Sequence, residues 1–136
     1  MIRVLVVDDS SFMRVKIKSL LEEDPGIRAA GIARTGQEAV EKALLLKPDV
    51  ITMDIHMPDM SGIQAVERIM QLCPTPVVMI SAFTADGTAD TVEALEKGAV
   101  DTVDKARMDG KSLTAKVRMA ARALIGLPAR SPSAPA

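Results

Sequence analysis

Short apolar runs alternate with amphipathic stretches along most of the chain. Five runs rich in Val, Ile, Leu and Ala have the length of strands that are covered on both faces: residues 2–7, 27–33, 49–53, 77–80 and 99–103. After each run, apolar residues recur at the spacing of an amphipathic helix, over residues 11–23, 36–46, 62–72, 88–97 and 112–125. The pattern therefore predicts five strands, each followed by a helix.

Local capping signals support these boundaries. Thr35 and Glu38 have the spacing of a capping box at the start of the second helix, and Ser61 and Gln64 have it at the start of the third. Gly98 directly follows the fourth helix, where a left-handed residue often ends a helix. Four apolar residues of the second helix are expected to face the core: Ala39, Val40, Ala43 and Leu44.

Strict alternation of strands and helices is typical of an α/β protein with a parallel sheet and helices on both faces. Right-handed crossovers leave few topologies for such units. We predict one doubly wound domain over residues 1–126, with strand order 2-1-3-4-5. In that order strands 1 and 3 are neighbours where the direction of winding reverses, which is where open α/β sheets bind ligands.

Polar side chains follow four of the five predicted strands. Asp8 and Asp9 follow strand 1, Asp54 follows strand 3, Ser81 follows strand 4, and Lys105 lies at the exit of strand 5. Carboxylates held close together repel one another by about 4 kcal/mol per pair at about 4 Å and an effective dielectric constant near 20. Such a cluster needs a cation or a raised pKa, and hard oxygen ligands suit Mg²⁺.

This arrangement predicts phosphoryl chemistry. Asp54 can attack phosphorus in line while the metal ion neutralises the phosphoryl oxygens. Lys105 then supplies a second positive charge, and the Ser81 hydroxyl supplies a hydrogen bond. Taken singly, each of these residues has an ordinary structural explanation as a helix cap, a loop residue or a solvated side chain. Their convergence at one edge of the sheet favours the functional interpretation.

Composition narrows the alternatives. A net charge of −1 gives no bulk attraction to nucleic acid, and no stretch approaches the about 20 apolar residues of a membrane span. The first residues do not have the pattern of a secretion signal, and Cys73 is the single cysteine, so we expect a cytoplasmic protein without an intrachain disulfide. Residues 127–136 are rich in Pro, Ser and Ala and are expected to be a linker or a disordered tail.

Other enzyme classes fit less well. His56 is the single histidine, so neither a zinc cluster nor a Ser-His-Asp esterase is expected within this chain. The glycine-rich motifs of nucleotide-binding loops are absent. A phosphatase of the haloacid dehalogenase type, with an aspartate nucleophile, remains an alternative, but it requires Asp-x-Asp after strand 1. This chain has Asp8-Asp9-Ser10 there.

Four motifs carry a family resemblance. V-L-V-V-D-D-S, M-D-I-H-M-P-D-M-S-G, V-V-M-I-S-A and G-A-V-D-T-V-D-K together resemble a two-component response regulator receiver domain with a flavodoxin-like fold, over about residues 1–125. The resemblance implies that Asp54 is phosphorylated. It also implies that Asp8, Asp9 and the backbone carbonyl of His56 join Asp54 in binding Mg²⁺. Ser81 and Lys105 would contact the phosphoryl group.

Within receivers, the sequence of residues 1–14 and 73–84 resembles that of the N-terminal domain of chemotaxis protein-glutamate methylesterases. This resemblance implies a chemotaxis-type sensor histidine kinase as phosphodonor. It also implies a C-terminal methylesterase domain, which is absent from this chain and would be joined through a linker. A stand-alone regulator is the alternative. Neither nucleic acid nor membrane insertion is implied.

The chain departs from the receiver pattern at two positions. Thr102 stands where receivers usually carry Phe or Tyr, three residues before the lysine, and Ala106 stands where proline usually follows it. Thr102 is expected to weaken the coupling between phosphorylation and the face around the fourth helix. Ala106 is expected to loosen the hold on Lys105. These departures keep open a third interpretation, a degenerate receiver that acts only as an interaction module.

Overall fold

The computed structural model describes residues 1–82 and 87–123, in which strands and helices alternate as the pattern predicts. The strands in this part of the chain are β1 (Ile2–Val7), β2 (Ile27–Ala33), β3 (Val50–Asp54), β4 (Val77–Ser81) and β5 (Asp101–Asp104). The helices are α1 (Ser11–Glu22), α2 (Gly36–Leu46), α3 (Gly62–Leu72), α4 (Gly87–Lys97) and α5 (Gly110–Ala123). A one-turn 3₁₀ helix, Lys105–Arg107, lies between β5 and α5.

The strands form one parallel sheet in the order β2-β1-β3-β4-β5. This is the predicted order of the doubly wound α/β fold, and it makes β1 and β3 neighbours. Because β3 pairs with β1 on one side and β4 on the other, the polypeptide leaves the centre of the sheet at Asp54. The predicted site therefore lies at the carboxyl edge of the central strands.

Two aliphatic cores cover the two faces of the sheet. Helices α2, α3 and α4 pack on one face, with the largest fully buried side chains there being Leu5, Ile51, Met53, Ile55, Ile69 and Met79. Helices α1 and α5 pack on the other face, around Ile17, Leu21, Leu113 and Val117. Burial of β3 on both faces explains why its residues do not alternate between apolar and exposed polar side chains, since alternation is expected only where one face meets water.

Some details of the predicted pattern are wrong, among them one core residue and one strand limit. Leu44 does not face the core: 45% of its surface is exposed, although Ala39, Val40 and Ala43 are buried as expected. The fifth strand begins at Asp101 instead of residue 99, because the Ala99 amide donates to the Ala94 carbonyl and so belongs to the end of α4. The left-handed glycine before it is present, since Gly98 has a φ of 126°.

The two capping signals have different outcomes. Ser61 and Gln64 form the full capping box at the start of α3. At α2, the Thr35 hydroxyl accepts from the Glu38 amide at 3.1 Å, but the Glu38 carboxylate accepts from the amide of Arg34 instead of Thr35. Helices α2 and α3 nevertheless begin where the sequence predicts, at Gly36 and Gly62.

The proposed tail, residues 127–136, and the domain limit at residue 126 lie outside the described residues. Both therefore stay predictions. In the part of the chain that the structure describes, no helix is both long enough and apolar enough to cross a membrane.

Candidate functional site

Three aspartates meet where β1 and β3 end. Val7 of β1 pairs with Met53 of β3, so the residues that follow leave the sheet side by side. One carboxylate oxygen from each of Asp8, Asp9 and Asp54 lies within 4.8 Å of the others. Asp8 and Asp54 are buried, whereas Asp9 is exposed. The sheet topology thus gathers the three predicted carboxylates into one cluster.

A lysine from the edge strand completes the cluster. The Lys105 Nζ lies 3.3 Å from Asp8 Oδ2 and 3.4 Å from Asp54 Oδ1. Ser81 is buried at the carboxyl end of β4, and it pairs in the sheet with Asp104, the residue before Lys105. All the strand-exit residues that the sequence singles out therefore lie at one edge of the sheet. Their chemical roles stay predictions.

One buried carboxylate oxygen of Asp8 makes no hydrogen bond within the part of the chain that the structure describes. Its Oδ1 accepts from the Ser10 amide at 2.9 Å, and its main-chain carbonyl accepts from Arg14 Nη1 at 2.9 Å. Its Oδ2 belongs to a fully buried side chain and lies 3.3 Å from the Lys105 Nζ, an ion pair whose geometry is not that of a hydrogen bond. A buried carboxylate oxygen that has an ion pair but no hydrogen bond can accept a further cation. The cluster offers only oxygen ligands, so its chemistry fits a hard divalent cation such as Mg²⁺.

The electrostatics of Asp54 reflect this crowding. Burial raises the pKa of the Asp54 carboxyl, and the nearby negative charge of Asp8 raises it further. The Lys105 ammonium and the His56 amide act in the opposite direction on the same pKa. The net shift is upward, which means that the ionised form of Asp54 is disfavoured at this position. A cation bound beside the carboxylate would stabilise the ionised form.

The loop after Asp54 contains the remaining predicted ligand. The His56 amide donates to Asp54 Oδ1 over a long 3.4 Å, while its imidazole points outward and is 76% exposed. Its Nε2 lies 3.9 Å from Asp90 Oδ2 on α4. The exposed imidazole agrees with a rim position, and the role of the His56 carbonyl as a metal ligand stays a prediction.

Two residues hold this loop in place. The Gly62 amide donates to the Ile55 carbonyl at 2.6 Å, and a Cβ on Gly62 would collide with the main chain of Asp54. The start of α3 therefore packs directly on the backbone of Asp54, an approach that only glycine allows. The Asp59 carboxylate accepts from the amides of Gly36 and Gln37, at 2.9 Å each, which joins the loop to the start of α2.

Sequence reasoning missed Asp59. The two amide hydrogen bonds lower the pKa of its carboxyl and cap α2 from a different loop. In the sequence, α2 already has its own cap in Thr35, so nothing indicates a second one from 22 residues away. In the sequence, the glycine at position 36 alone could have indicated a close contact at the start of α2. A Cβ there would collide with the side chain of Met60, in the loop that contains Asp59.

Comparison with known proteins identifies the family of this chain. The profile of the response regulator receiver domain matches residues 4–118. This chain belongs to the receiver domain family. Membership favours the receiver over the dehalogenase-type phosphatase, since the whole arrangement of strand exits lies within the matched residues.

This receiver domain has close relatives among chemotaxis proteins. It is 50% identical over 135 residues to protein-glutamate methylesterase/protein-glutamine glutaminase 1 of Geobacter sulfurreducens, an alignment that covers 93% of this chain and 37% of that protein. The crystal structure of the response regulator domain of Thermotoga maritima CheB is similar to it, with a TM-score of 0.83 and 47% identity. That match covers 90% of this chain and 97% of the other. The receiver thus spans little more than a third of the Geobacter protein.

A second similar structure was solved with ligands. It is the CheX-CheY-BeF₃-Mg²⁺ complex from Borrelia burgdorferi, with a TM-score of 0.76, 30% identity, and 87% of each chain covered. These comparisons establish the fold, the receiver family and the similarity to the receivers of methylesterases. The strand order of the sheet agrees with the prediction.

Proposed function

We propose that this receiver domain accepts a phosphoryl group on Asp54 in a Mg²⁺-dependent reaction. The observation that carries the proposal is the gathering of three carboxylates within 4.8 Å, with the Lys105 Nζ 3.4 Å from Asp54 Oδ1. Crowded and partly buried carboxylates raise the free energy of the folded protein. Their presence at one edge of an otherwise aliphatic sheet is explained by a ligand that needs them.

The chemistry requires few groups from the protein. A carboxylate oxygen of Asp54 forms a bond to phosphorus as the bond between phosphorus and the leaving nitrogen of a phosphohistidine breaks. The electron pair stays on the imidazole nitrogen, which takes a proton from solvent. Asp54 thus acts as the nucleophile, and the reaction is a transfer without net hydrolysis.

The other site residues assist this transfer. Asp8, Asp9, Asp54 and the His56 carbonyl would hold Mg²⁺, which when bound supplies charge neutralisation for the phosphoryl oxygens. Lys105 contributes a second positive charge to the same oxygens, and the Ser81 hydroxyl donates a hydrogen bond to them. The Borrelia complex with BeF₃ and Mg²⁺ supports this assignment by similarity.

The relatives also suggest the partners. We infer a chemotaxis-type sensor histidine kinase as phosphodonor and a cytoplasmic location. Residues 1–126 would form the receiver and residues 127–136 a linker to a protein-glutamate methylesterase domain, as in the Geobacter relative. Phosphorylation would then regulate that esterase. The receiver itself contributes only its own phosphorylation and dephosphorylation, and a stand-alone regulator is the alternative arrangement.

The test is intact-mass spectrometry after incubation with acetyl phosphate, with and without Mg²⁺. We expect one phosphoryl group on the wild-type protein only when Mg²⁺ is present, and none on Asp54→Asn. Asp101→Asn is a matched control, because it removes an aspartate from the opposite end of β5 that pairs with Lys116 instead of the site. This control is expected to be labelled like the wild type.

Two outcomes would contradict the proposal. Labelling that persists in Asp54→Asn would move the acceptor to another residue. A folded wild-type protein that takes no phosphoryl group, with or without Mg²⁺, would favour the degenerate receiver that acts as an interaction module.

A further inference from the structure

Lys105 is held differently from the carboxylates that it faces. It is the first residue of the one-turn helix Lys105–Arg107, and it follows β5, which among the described strands pairs with β4 alone. A lysine side chain has four rotatable bonds, so the direction of its backbone decides which positions its ammonium can reach. Sheet hydrogen bonds fix that backbone only as far as Asp104, the last paired residue.

The Asp104 side chain fixes the turn beyond the sheet. Its Oδ1 accepts from the Ala106 amide at 2.9 Å, and Asp104 is the N-cap of the 3₁₀ helix, with φ −77° and ψ 118°. Its Oδ2 lies 3.7 Å from the Arg107 Nε, on the last residue of the same turn. Asp104 therefore holds the backbone on the far side of Lys105, while its pairing with Ser81 holds the near side.

The hydrogen bond depends on the residue at position 106. Alanine has an amide hydrogen to donate, whereas a proline there would not. The sequence predicts that Ala106 loosens Lys105, yet the structure contains a cap that uses this same amide. Among the described residues, the Asp104 carboxylate makes no ion pair with Lys105 itself. Its influence on Lys105 therefore runs through the main chain.

We propose that Asp104 is the positioning residue for Lys105. By capping the turn Lys105–Arg107, its carboxylate keeps the Lys105 ammonium between Asp8 and Asp54, where it meets the incoming phosphoryl group. The proposal deepens the proposed function and rests on it for its relevance to phosphoryl transfer. The property of Asp104 that matters is a hydrogen-bond acceptor at this place, and its negative charge is dispensable.

The test compares initial rates of labelling by acetyl phosphate at saturating Mg²⁺. Asp104→Ala removes the acceptor and is expected to slow labelling about threefold to tenfold. This is the rate change expected if the free energy that a helix cap contributes is lost from the transition state of phosphoryl transfer. Asp104→Asn keeps an acceptor oxygen and is expected to label within about twofold of the wild type.

A matched control separates positioning from general stability. Asp109 makes the same kind of bond a few residues later, since its Oδ1 accepts from the Ser112 amide at 2.7 Å at the start of α5. Asp109→Ala is expected to lower the midpoint of thermal unfolding about as much as Asp104→Ala, while its labelling rate stays at the wild-type value. Only the cap beside Lys105 should affect the chemistry.

A double-mutant cycle tests whether the effect passes through Lys105. In a Lys105→Ala background, adding Asp104→Ala should not slow labelling further, because no ammonium remains to be positioned. The proposal is overturned if Asp104→Ala labels at the wild-type rate. It is also overturned if Asp104→Asn is as slow as Asp104→Ala, or if Asp104→Ala slows the Lys105→Ala protein by the full factor.

A second readout keeps the two proposals distinguishable. If the wild type is folded but takes no phosphoryl group, the proposed function fails, and the role of Asp104 is decided by NMR. Asp104→Ala should then move the side-chain signals of Lys105 toward those of a solvent-exposed lysine, and Asp104→Asn should not. Unchanged Lys105 signals in Asp104→Ala would reject the positioning role.

Discussion

The two flanks of the site are held by different means. The carboxylate flank consists of Asp8, Asp9 and Asp54, at the ends of β1 and β3. The cationic flank consists of Ser81 and Lys105, at the ends of β4 and β5. The first flank follows two adjoining strands at the centre of the sheet, whereas the lysine of the second follows an edge strand of four residues.

Many contacts fix the carboxylate flank. Strand β3 is buried along its whole length, and α3 packs directly against the main chain of Asp54 at Gly62. Asp59 ties the following loop to α2, and the Ser10 amide holds Asp8 Oδ1. Substitutions among the carboxylates should therefore change charge with little change in the position of the backbone.

Fewer contacts fix the cationic flank. Beyond the last paired residue, the turn that contains Lys105 is held by the Asp104 cap and by Met108, which is buried against the core of α1 and α5. Substitutions here should therefore change the position of a charge more than the amount of charge. We therefore expect the carboxylate flank to control Mg²⁺ affinity and stability, and the cationic flank to control the rate of phosphoryl transfer.

The largest expected effect comes from breaking the carboxylate flank with Asp8→Asn. The substitution removes one of three clustered carboxylates, so Mg²⁺ should bind at least about tenfold more weakly. At a Mg²⁺ concentration of about 100 times the wild-type dissociation constant, the wild type gains about 2.7 kcal/mol of stability, and the variant should gain less than about 1.4 kcal/mol. Chemical denaturation with and without Mg²⁺ measures both gains.

The same variant should be more stable than the wild type when Mg²⁺ is removed with a chelator. Asp8→Asn removes a fully buried charge that repels Asp54, and although it also removes the ion pair between Asp8 and Lys105, the lysine keeps Asp54 as a partner. Relief of this repulsion should raise the free energy of unfolding by about 1 kcal/mol. Opposite changes in metal-free stability and metal affinity are the signature of a binding site. Equal Mg²⁺ gains in the two proteins would count against the carboxylate cluster as the metal site.

A smaller effect on the carboxylate flank concerns the pH dependence of stability. Burial and the charge of Asp8 raise the pKa of Asp54 in the folded protein above its value in the unfolded chain. The folded state therefore binds more protons between these two pKa values, so ionised Asp54 lowers stability at neutral pH and this loss is relieved as pH falls. Metal-free Asp54→Asn should be more stable than the wild type at neutral pH.

The stability gap between Asp54→Asn and the wild type should narrow as the pH is lowered from neutral toward the ordinary pKa of an aspartate. Asp24, whose pKa is lowered to about 2 mainly by its hydrogen bond with Arg118, stays ionised over this range and is present in both proteins. Denaturation curves for both proteins at several pH values, without metal, measure the gap. A gap that stays constant or widens on acidification would contradict the raised pKa.

The comparison also shows why sequence reasoning succeeded where it did. The strand exits at Asp8, Asp54 and Ser81 could be predicted because β-branched apolar runs end abruptly in polar residues, and the parallel topology brings such ends together. Right-handed crossovers leave few topologies, and the order predicted among them matches the structure. These are properties of regular elements with a strong periodic signal.

The contacts that hold the loops had no such signal. Asp59 caps α2 through the amides of Gly36 and Gln37, which lie 23 and 22 positions before it in the sequence. Each of the two loops alone has an ordinary turn sequence. The cap of Asp104 on Ala106 is local, but in the sequence Asp104 has only the pattern of a residue at a strand exit. The limit of β5 was misplaced because Ala99 is apolar yet donates its amide to α4.

The most direct test of a metal-dependent acceptor at Asp54 is fluorine NMR of the protein with BeF₃⁻, an analogue of the phosphoryl group. This measurement needs no phosphodonor, so a slow transfer step cannot hide the site. Bound fluorine signals should appear only after Mg²⁺ is added, be absent in Asp54→Asn, and persist in the Asp101→Asn control. Bound signals without Mg²⁺ or in Asp54→Asn, or none in a folded wild-type protein with Mg²⁺, would contradict the account.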